Sequence, residues 1–88
     1  FGFSLRAIIA LRMSGGKLLD IQQKIAEDPR IAAVYDVTGD WDSLIIGYFR
    51  DRHDLNDFIK DLLILENVER SVTHIVLNVI KEERRIPV

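Results

Sequence analysis

Cysteine is absent from the 88 residues, so no disulfide, thiolate metal site or cysteine nucleophile is available. The redox compartment is thereby left open, and a cytosolic address fits. No apolar run approaches the ~20 residues that a membrane-spanning helix needs, and no signal-peptide pattern occurs. An excess of positive charge is missing too. Twelve Lys and Arg stand against fourteen Asp and Glu, a net charge of −2, and both signs are spread along the chain. A face that neutralises DNA phosphates would be one-sidedly basic, so direct DNA contact by this chain is not expected.

What is present is an ordinary globular balance, 48% hydrophobic and 30% charged, which excludes disorder. The length allows one domain, residues 1–88, with no helix-turn-helix segment inside it. A domain this small buries only ~60–65% of its unfolded surface, which makes a solitary chain marginal and self-association an economical remedy. The chain opens on Phe1 and reads as a fragment, with room for a DNA-binding segment upstream.

Four strand-like runs alternate with two helical ones. Ser4 to Met13 is rich in Ile, Leu and Ala and stops at Ser14-Gly15-Gly16. Leu18, Ile21 and Ile25 form the stripe of a helix over 17–27, ended by Asp28-Pro29 because a residue before proline is pushed out of the helical region. Strands are expected over Ile31 to Thr38 and Ser43 to Arg50, joined through a Gly/Asp hairpin turn, Thr38-Gly39-Asp40-Trp41-Asp42. A second helix is expected over Asp54 to Leu65, with Leu55, Phe58, Ile59 and Leu62 on one face and Asp51 or Asp54 as its cap. The last strand is β-branched from Arg70 to Lys81. The order β-α-β-β-α-β predicts an α+β, ferredoxin-like fold: a four-stranded antiparallel sheet with two helices on one face.

The strands are apolar on both faces. Leu5, Ala7, Ile9 and Leu11 oppose Ile8 and Ala10; Ile31, Ala33, Tyr35 and Val37 oppose Ala32 and Val34; Ile75, Leu77 and Val79 oppose Val72, Val76 and Ile80. Two helices cover one face, and the other would be an apolar patch larger than monomers usually expose. A twofold dimer, sheet on sheet or closing into a barrel-like assembly, is therefore expected.

Polar chemistry concentrates in Thr38, Gly39, Asp40 and Asp42. The turn's N–H groups and acids, with the hydroxyls of Ser71 and Thr73 from a neighbouring subunit, would suit the two charged ends of a free amino acid. The alternative is that Gly39-Asp40 only makes a turn and Asp42 only caps the strand end. No catalytic residue is assigned. Ser4, Ser14, Ser43 and Ser71 lack a His-Asp pairing, and paired acid-base work by Asp40 and Asp42 would need a walled cleft that a hairpin turn does not imply. His53 reads as solvated, His74 as a packed or interface residue, and together they lack metal-ligand spacing. Gly15-Gly16 before a helix is weak as an anion site. Trp41 reads as a subunit contact. The run Lys81-Glu82-Glu83-Arg84-Arg85 reads as a solvated end. No metal or cofactor is implied.

Pro29-Arg30-Ile31, then Tyr35-Asp36-Val37-Thr38-Gly39-Asp40-Trp41-Asp42, then Val68-Glu69-Arg70-Ser71-Val72-Thr73-His74-Ile75-Val76-Leu77 resemble the C-terminal effector-binding (RAM) domain of Lrp/AsnC transcription regulators. The likeness runs from Gly2-Phe3-Ser4 to the Lys81 region. It implies dimers formed through the sheets, assembly of dimers into octamer-like rings, and amino-acid effectors held between subunits. It places Thr38, Gly39, Asp40, Asp42, Ser71 and Thr73 in that site. Ser71 stands where threonine is commoner, and Trp41 is bulkier than the family pattern. The missing helix-turn-helix implies a truncated regulator, or a stand-alone module that joins full-length Lrp/AsnC relatives in mixed assemblies. Two other classes share the topology: an ACT-like regulatory domain of a metabolic enzyme, and a small dimeric α+β barrel enzyme of the monooxygenase kind.

Overall fold

In the computed structural model, which describes residues 5–83, the elements follow in the order β1 (Leu5–Met13), α1 (Leu18–Ala26), β2 (Ile31–Asp36), β3 (Ser43–Phe49), α2 (Arg52–Ile64) and β4 (Val68–Ile75). The strands form one sheet ordered β2-β3-β1-β4, and every neighbouring pair is antiparallel. This is the expected ferredoxin-like arrangement. The start of the first strand at Ser4, the Gly2-Phe3-Ser4 segment and Arg84-Arg85 lie outside the described residues.

Local chemistry explains the element ends. Gly15 adopts φ +82 as the chain leaves β1, a backbone state that glycine enters without a Cβ penalty. The neighbouring Ser14 N–H donates to the Asn67 carbonyl at 2.8 Å, tying this turn to the entry of β4. Of the two acids proposed as caps for α2, Asp51 does the work: its carboxylate accepts the Asp54 N–H at 2.8 Å. The helix accordingly begins at Arg52, two residues before the expected start.

One face of the sheet carries Ala7, Ile9, Leu11, Ile45 and Phe49, which bury with Ile25 of α1 and Leu55, Phe58 and Leu62 of α2. Phe49 and Phe58 meet with ring centroids 5.4 Å apart. Gly47 makes this packing possible. A Cβ there would sit 2.8 Å from the Phe49 ring and 3.1 Å from Ile31 Cδ1.

Three expectations are corrected. The strand expected over Arg70 to Lys81 spans Val68–Ile75. It starts early because Val68 pairs with Met13 past a register shift that leaves Glu69 of β4 as the extra residue. At its far end Ile75 pairs with Ala7, and one further bond joins the Val76 N–H to the Arg6 carbonyl at 2.9 Å. The strict alternation assigned to the second strand also fails. Ile31 pairs with Gly47 and Ala33 with Ile46, so a bulge at Ala32 puts Ile31 and Val34 on the helix side, with Ala33 and Tyr35 opposite. Finally, β2 ends at Asp36, short of Thr38, since the turn residues bond to each other and to β1 instead, and β3 ends at Phe49, where the Arg50 N–H turns to Asp54 Oδ2 at 3.0 Å.

The second face of the sheet has no helix on it. Registers place Ile8, Ala10, Leu44, Ile46, Ala33 and Val72 there. No helix among the described residues is long and apolar enough to cross a membrane.

The tight fit at Gly47 yields a prediction. Gly47→Ala should destabilise the fold by ~1–3 kcal/mol, because fully buried Phe49 has no room to retreat. A chemical denaturation midpoint equal to that of the wild type would contradict this packing account.

Candidate functional site

The turn between β2 and β3 is built by backbone chemistry. The Val37 N–H donates to the Asp42 carbonyl at 3.1 Å, and Gly39 takes φ +107 between them. Asp42 fastens the turn to β1 twice: its N–H donates to the Leu11 carbonyl at 2.9 Å, and its Oδ2 accepts the Met13 N–H at 2.7 Å. Thr38, Gly39 and Asp40 remain exposed, while Trp41 and Asp42 are half-buried. The Trp41 ring lies 5.6 Å beneath the Arg70 guanidinium, a contact within the chain that reaches across to β4.

Ser71 and Thr73 lie opposite Leu11 and Ile9 of β1. Cross-strand partners share a face, so both hydroxyl side chains stand on the helix side, half-buried along the β4 edge. Leu11 is the common reference: the turn bonds to it on one flank of β1 and Ser71 pairs with it on the other. The turn and the hydroxyls therefore occupy the same end of the sheet, with β1 between them. Within one chain they do not close on each other.

Both histidines sit at the surface. His53 Nε2 stands 3.5 Å from Asp57 on the first turns of α2, and His74 is exposed on β4, on the uncovered face opposite Ile8. Among the described residues, no group of three or more His, Asp or Glu side chains could hold a metal ion.

Two polar arrangements escaped the sequence reading. Ser43 is fully buried; its hydroxyl donates to the Tyr35 carbonyl at 3.1 Å and accepts from Gln22 Nε2 at 3.2 Å. The signal was a glutamine lying within the apolar stripe of α1. The second arrangement centres on Arg30, whose guanidinium pairs at 2.7 Å with both Asp28 and Asp54 and lies 5.4 Å from the Phe58 ring centre. These residues, with Pro29 and Arg50, line a polar cavity of about 390 Å³ far from the turn end of the sheet. Charge and hydrogen bonding are matched there, so the cluster joins the α1–β2 loop to the start of α2.

The Arg30 side-chain hydrogen bond holds the Asp28 carboxyl below its ordinary value. Asp54 is also lowered, first by the Arg50 N–H and then by Arg30, and the Arg30 pKa is raised in turn.

A family model described as the Lrp/AsnC ligand binding domain matches residues 6–86. An uncharacterized HTH-type transcriptional regulator of Pyrococcus horikoshii is 44% identical over 85 residues, covering 97% of this chain and 57% of that protein. The HTH-type transcriptional regulator FL11 of Pyrococcus furiosus is 33% identical over 87 residues, covering 99% of this chain and 58% of its own length. The chain thus spans less than three fifths of these relatives. A transcriptional regulator of Neisseria meningitidis, solved as an L-methionine complex, superposes with a TM-score of 0.89 at 22% identity, over 98% of this chain and 58% of that one. A Thermus thermophilus protein superposes with a TM-score of 0.81 at 30% identity, over 90% of this chain and all of that one.

Two outcomes follow from the site chemistry. Asp42→Ala strips the Met13 N–H of its partner and should cost ~1–3 kcal/mol of stability, whereas Asp42→Asn, which keeps an acceptor, should cost much less. Equal denaturation midpoints for the two variants would remove the structural role of Asp42. The Asp28 and Asp54 carboxyls titrate lower in the folded chain than in the unfolded one. Their contribution to stability is therefore present above the ordinary value of 3.8 and lost as the pH falls below it. Arg30→Met should lower stability at neutral pH and flatten its further loss as the pH falls through the ordinary carboxyl value of 3.8 and below. A variant curve parallel to the wild type's would contradict that linkage.

Proposed function

The chain belongs to the Lrp/AsnC ligand-binding domain family, and from that premise we propose that it holds a free amino acid between subunits and sets their assembly in response. The observation that carries the reading is the placement of two polar groups at one end of the sheet, on opposite flanks of β1. The turn offers backbone N–H groups and acids, and the β4 edge offers the hydroxyls of Ser71 and Thr73. Because β1 separates them within a chain, the turn of one copy meets the hydroxyls of another at a junction between subunits. The Asp40 side chain, exposed and free of the structural bonds that occupy Asp42, takes the ammonium group. Gly39 and the hydroxyls take the carboxylate. The L-methionine complex of the Neisseria regulator supports an amino acid as the kind of ligand.

In this reading the uncovered sheet face is the contact of a homodimer, and dimers join further through the effector junction. An effector bound at such a junction favours the assembly that forms it over the one that does not, which is how binding is converted into regulation. The chemistry is recognition and not turnover. DNA contact belongs to another segment, or to full-length relatives in a mixed assembly. The cell interior is where such a regulator acts.

Calorimetric titration with each of the twenty amino acids, paired with light scattering, tests the proposal. One amino acid should bind and shift the mass. Thr73→Val should then weaken binding about tenfold or more, the effect of losing a hydrogen bond to a charged group, while leaving the ligand-free mass unchanged. Unaltered affinity in Thr73→Val would remove the hydroxyls from the site. Absence of binding by all twenty would remove the sensing role.

A further inference from the structure

Arg12 of β1 and Arg70 of β4 are registered cross-strand partners, on the sheet face opposite the helices. Both residues are exposed, and like charges on directly opposed positions repel each other. Among the described residues the ion pairs join Arg6 to Glu82, Arg30 to Asp28 and Asp54, and His53 to Asp57. Neither guanidinium of the Arg12–Arg70 pair has a carboxylate partner there. The pair lies at the end of the sheet that carries the turn. Arg12 stands between Leu11, whose carbonyl accepts the Asp42 N–H, and Met13, whose N–H donates to Asp42 Oδ2. Arg70 is held by the same turn, its guanidinium 5.6 Å from the centre of the Trp41 ring. That contact fixes the side chain without consuming an N–H donor. The turn thus sets two unanswered cations beside Asp40, the exposed acid that precedes Trp41 in the chain.

We infer that the effector is an acidic amino acid, glutamate or aspartate, and that Arg12 and Arg70 hold its side-chain carboxylate. The inference rests on the reading of the turn as the effector site, and it adds the class of ligand and the residues that select it. Charge complementarity carries it. Asp40 takes the ammonium group, Gly39 takes the main carboxylate, and the paired guanidiniums take the second carboxylate in the forked geometry that arginine offers. A basic amino acid would set a third cation against the pair. An apolar one would leave both guanidiniums unanswered, and glutamine would offer them only a neutral oxygen. Free phosphate satisfies the two cations but meets Asp40 as a repelling neighbour. A dicarboxylic amino acid matches all three charges.

Calorimetric titration of the 88-residue chain with each of the twenty amino acids, and with inorganic phosphate, tests the inference. Glutamate or aspartate should bind about tenfold or more tighter than glutamine, leucine or lysine. Arg12→Gln and Arg70→Gln should each weaken the acid about tenfold or more, and Arg12→Lys, which keeps the charge, should restore part of the loss. Thermal melting verifies that each variant folds; Arg12 makes no side-chain bond among the described residues, so its variants separate recognition from packing. Tightest binding by a neutral or basic amino acid overturns the inference while leaving the effector site standing. Acid binding that either glutamine variant leaves unaltered overturns the paired site. Phosphate that binds as tightly as the acid and displaces it also overturns the inference, since the pair would then select anions of any kind. Absence of binding by all twenty amino acids overturns it together with the sensing reading beneath it.

Discussion

A sheet that is apolar on both faces and has helices on only one leaves a surface that water covers at a cost, and this constraint shapes the rest of the molecule. The helices are committed by their stripes: Ile25, Leu55, Phe58 and Leu62 all bury against Ala7, Ile9, Leu11, Ile45 and Phe49. Nothing in α1 or α2 is left to cover Ile8, Leu44, Ile46 and Val72. Apolar burial is worth ~25 cal/mol per Å², so a face of this kind is a strong drive to association in a chain too small to be generously stable alone.

Asp42 couples that scaffold to the candidate site. It ends the turn that carries Gly39 and Asp40, and it fastens this turn to β1 through both its backbone and its carboxylate. The exposed turn is thus positioned by a central strand of the sheet. Trp41, stacked on Arg70, makes a second link across the same end, between the turn and the β4 edge where Ser71 and Thr73 lie. Site, turn and sheet edge form one connected unit, the arrangement a ligand needs if its binding is to favour one assembly over another.

The order of elements was legible because each carries its own periodicity. Leu18, Ile21 and Ile25 mark one helix, Leu55, Phe58 and Leu62 the other, and Gly15 and Pro29 mark the breaks between elements. What was not legible depends on partners far along the chain. The bulge at Ala32 exists because of how β2 meets Gly47 and Ile46, and no alternation rule within β2 reveals it. The described pairing of β4 with β1 ends at Ile75, although the β-branched residues that continue from Val76 read as strand. The two roles left open for Asp42 needed the Met13 N–H, 29 positions earlier in the chain, to show its structural bond. The candidate effector residues were named through the Thr-Gly-x-x-Asp turn and the Ser-Val-Thr run by resemblance. Spacing alone did not separate a binding turn from an ordinary one.

The central claim, that the uncovered sheet face is satisfied by a second copy, is tested most directly by small-angle X-ray scattering of the ligand-free protein at low and high concentration. A single chain has a radius of gyration of 13.5 Å and a flattened shape, 38 × 36 × 21 Å. The account predicts a scattering mass of at least two chains, a radius clearly above the single-chain value, and a particle whose thinnest dimension has grown as sheet stacks on sheet. A mass of one chain with a radius near 13.5 Å at every concentration would contradict it.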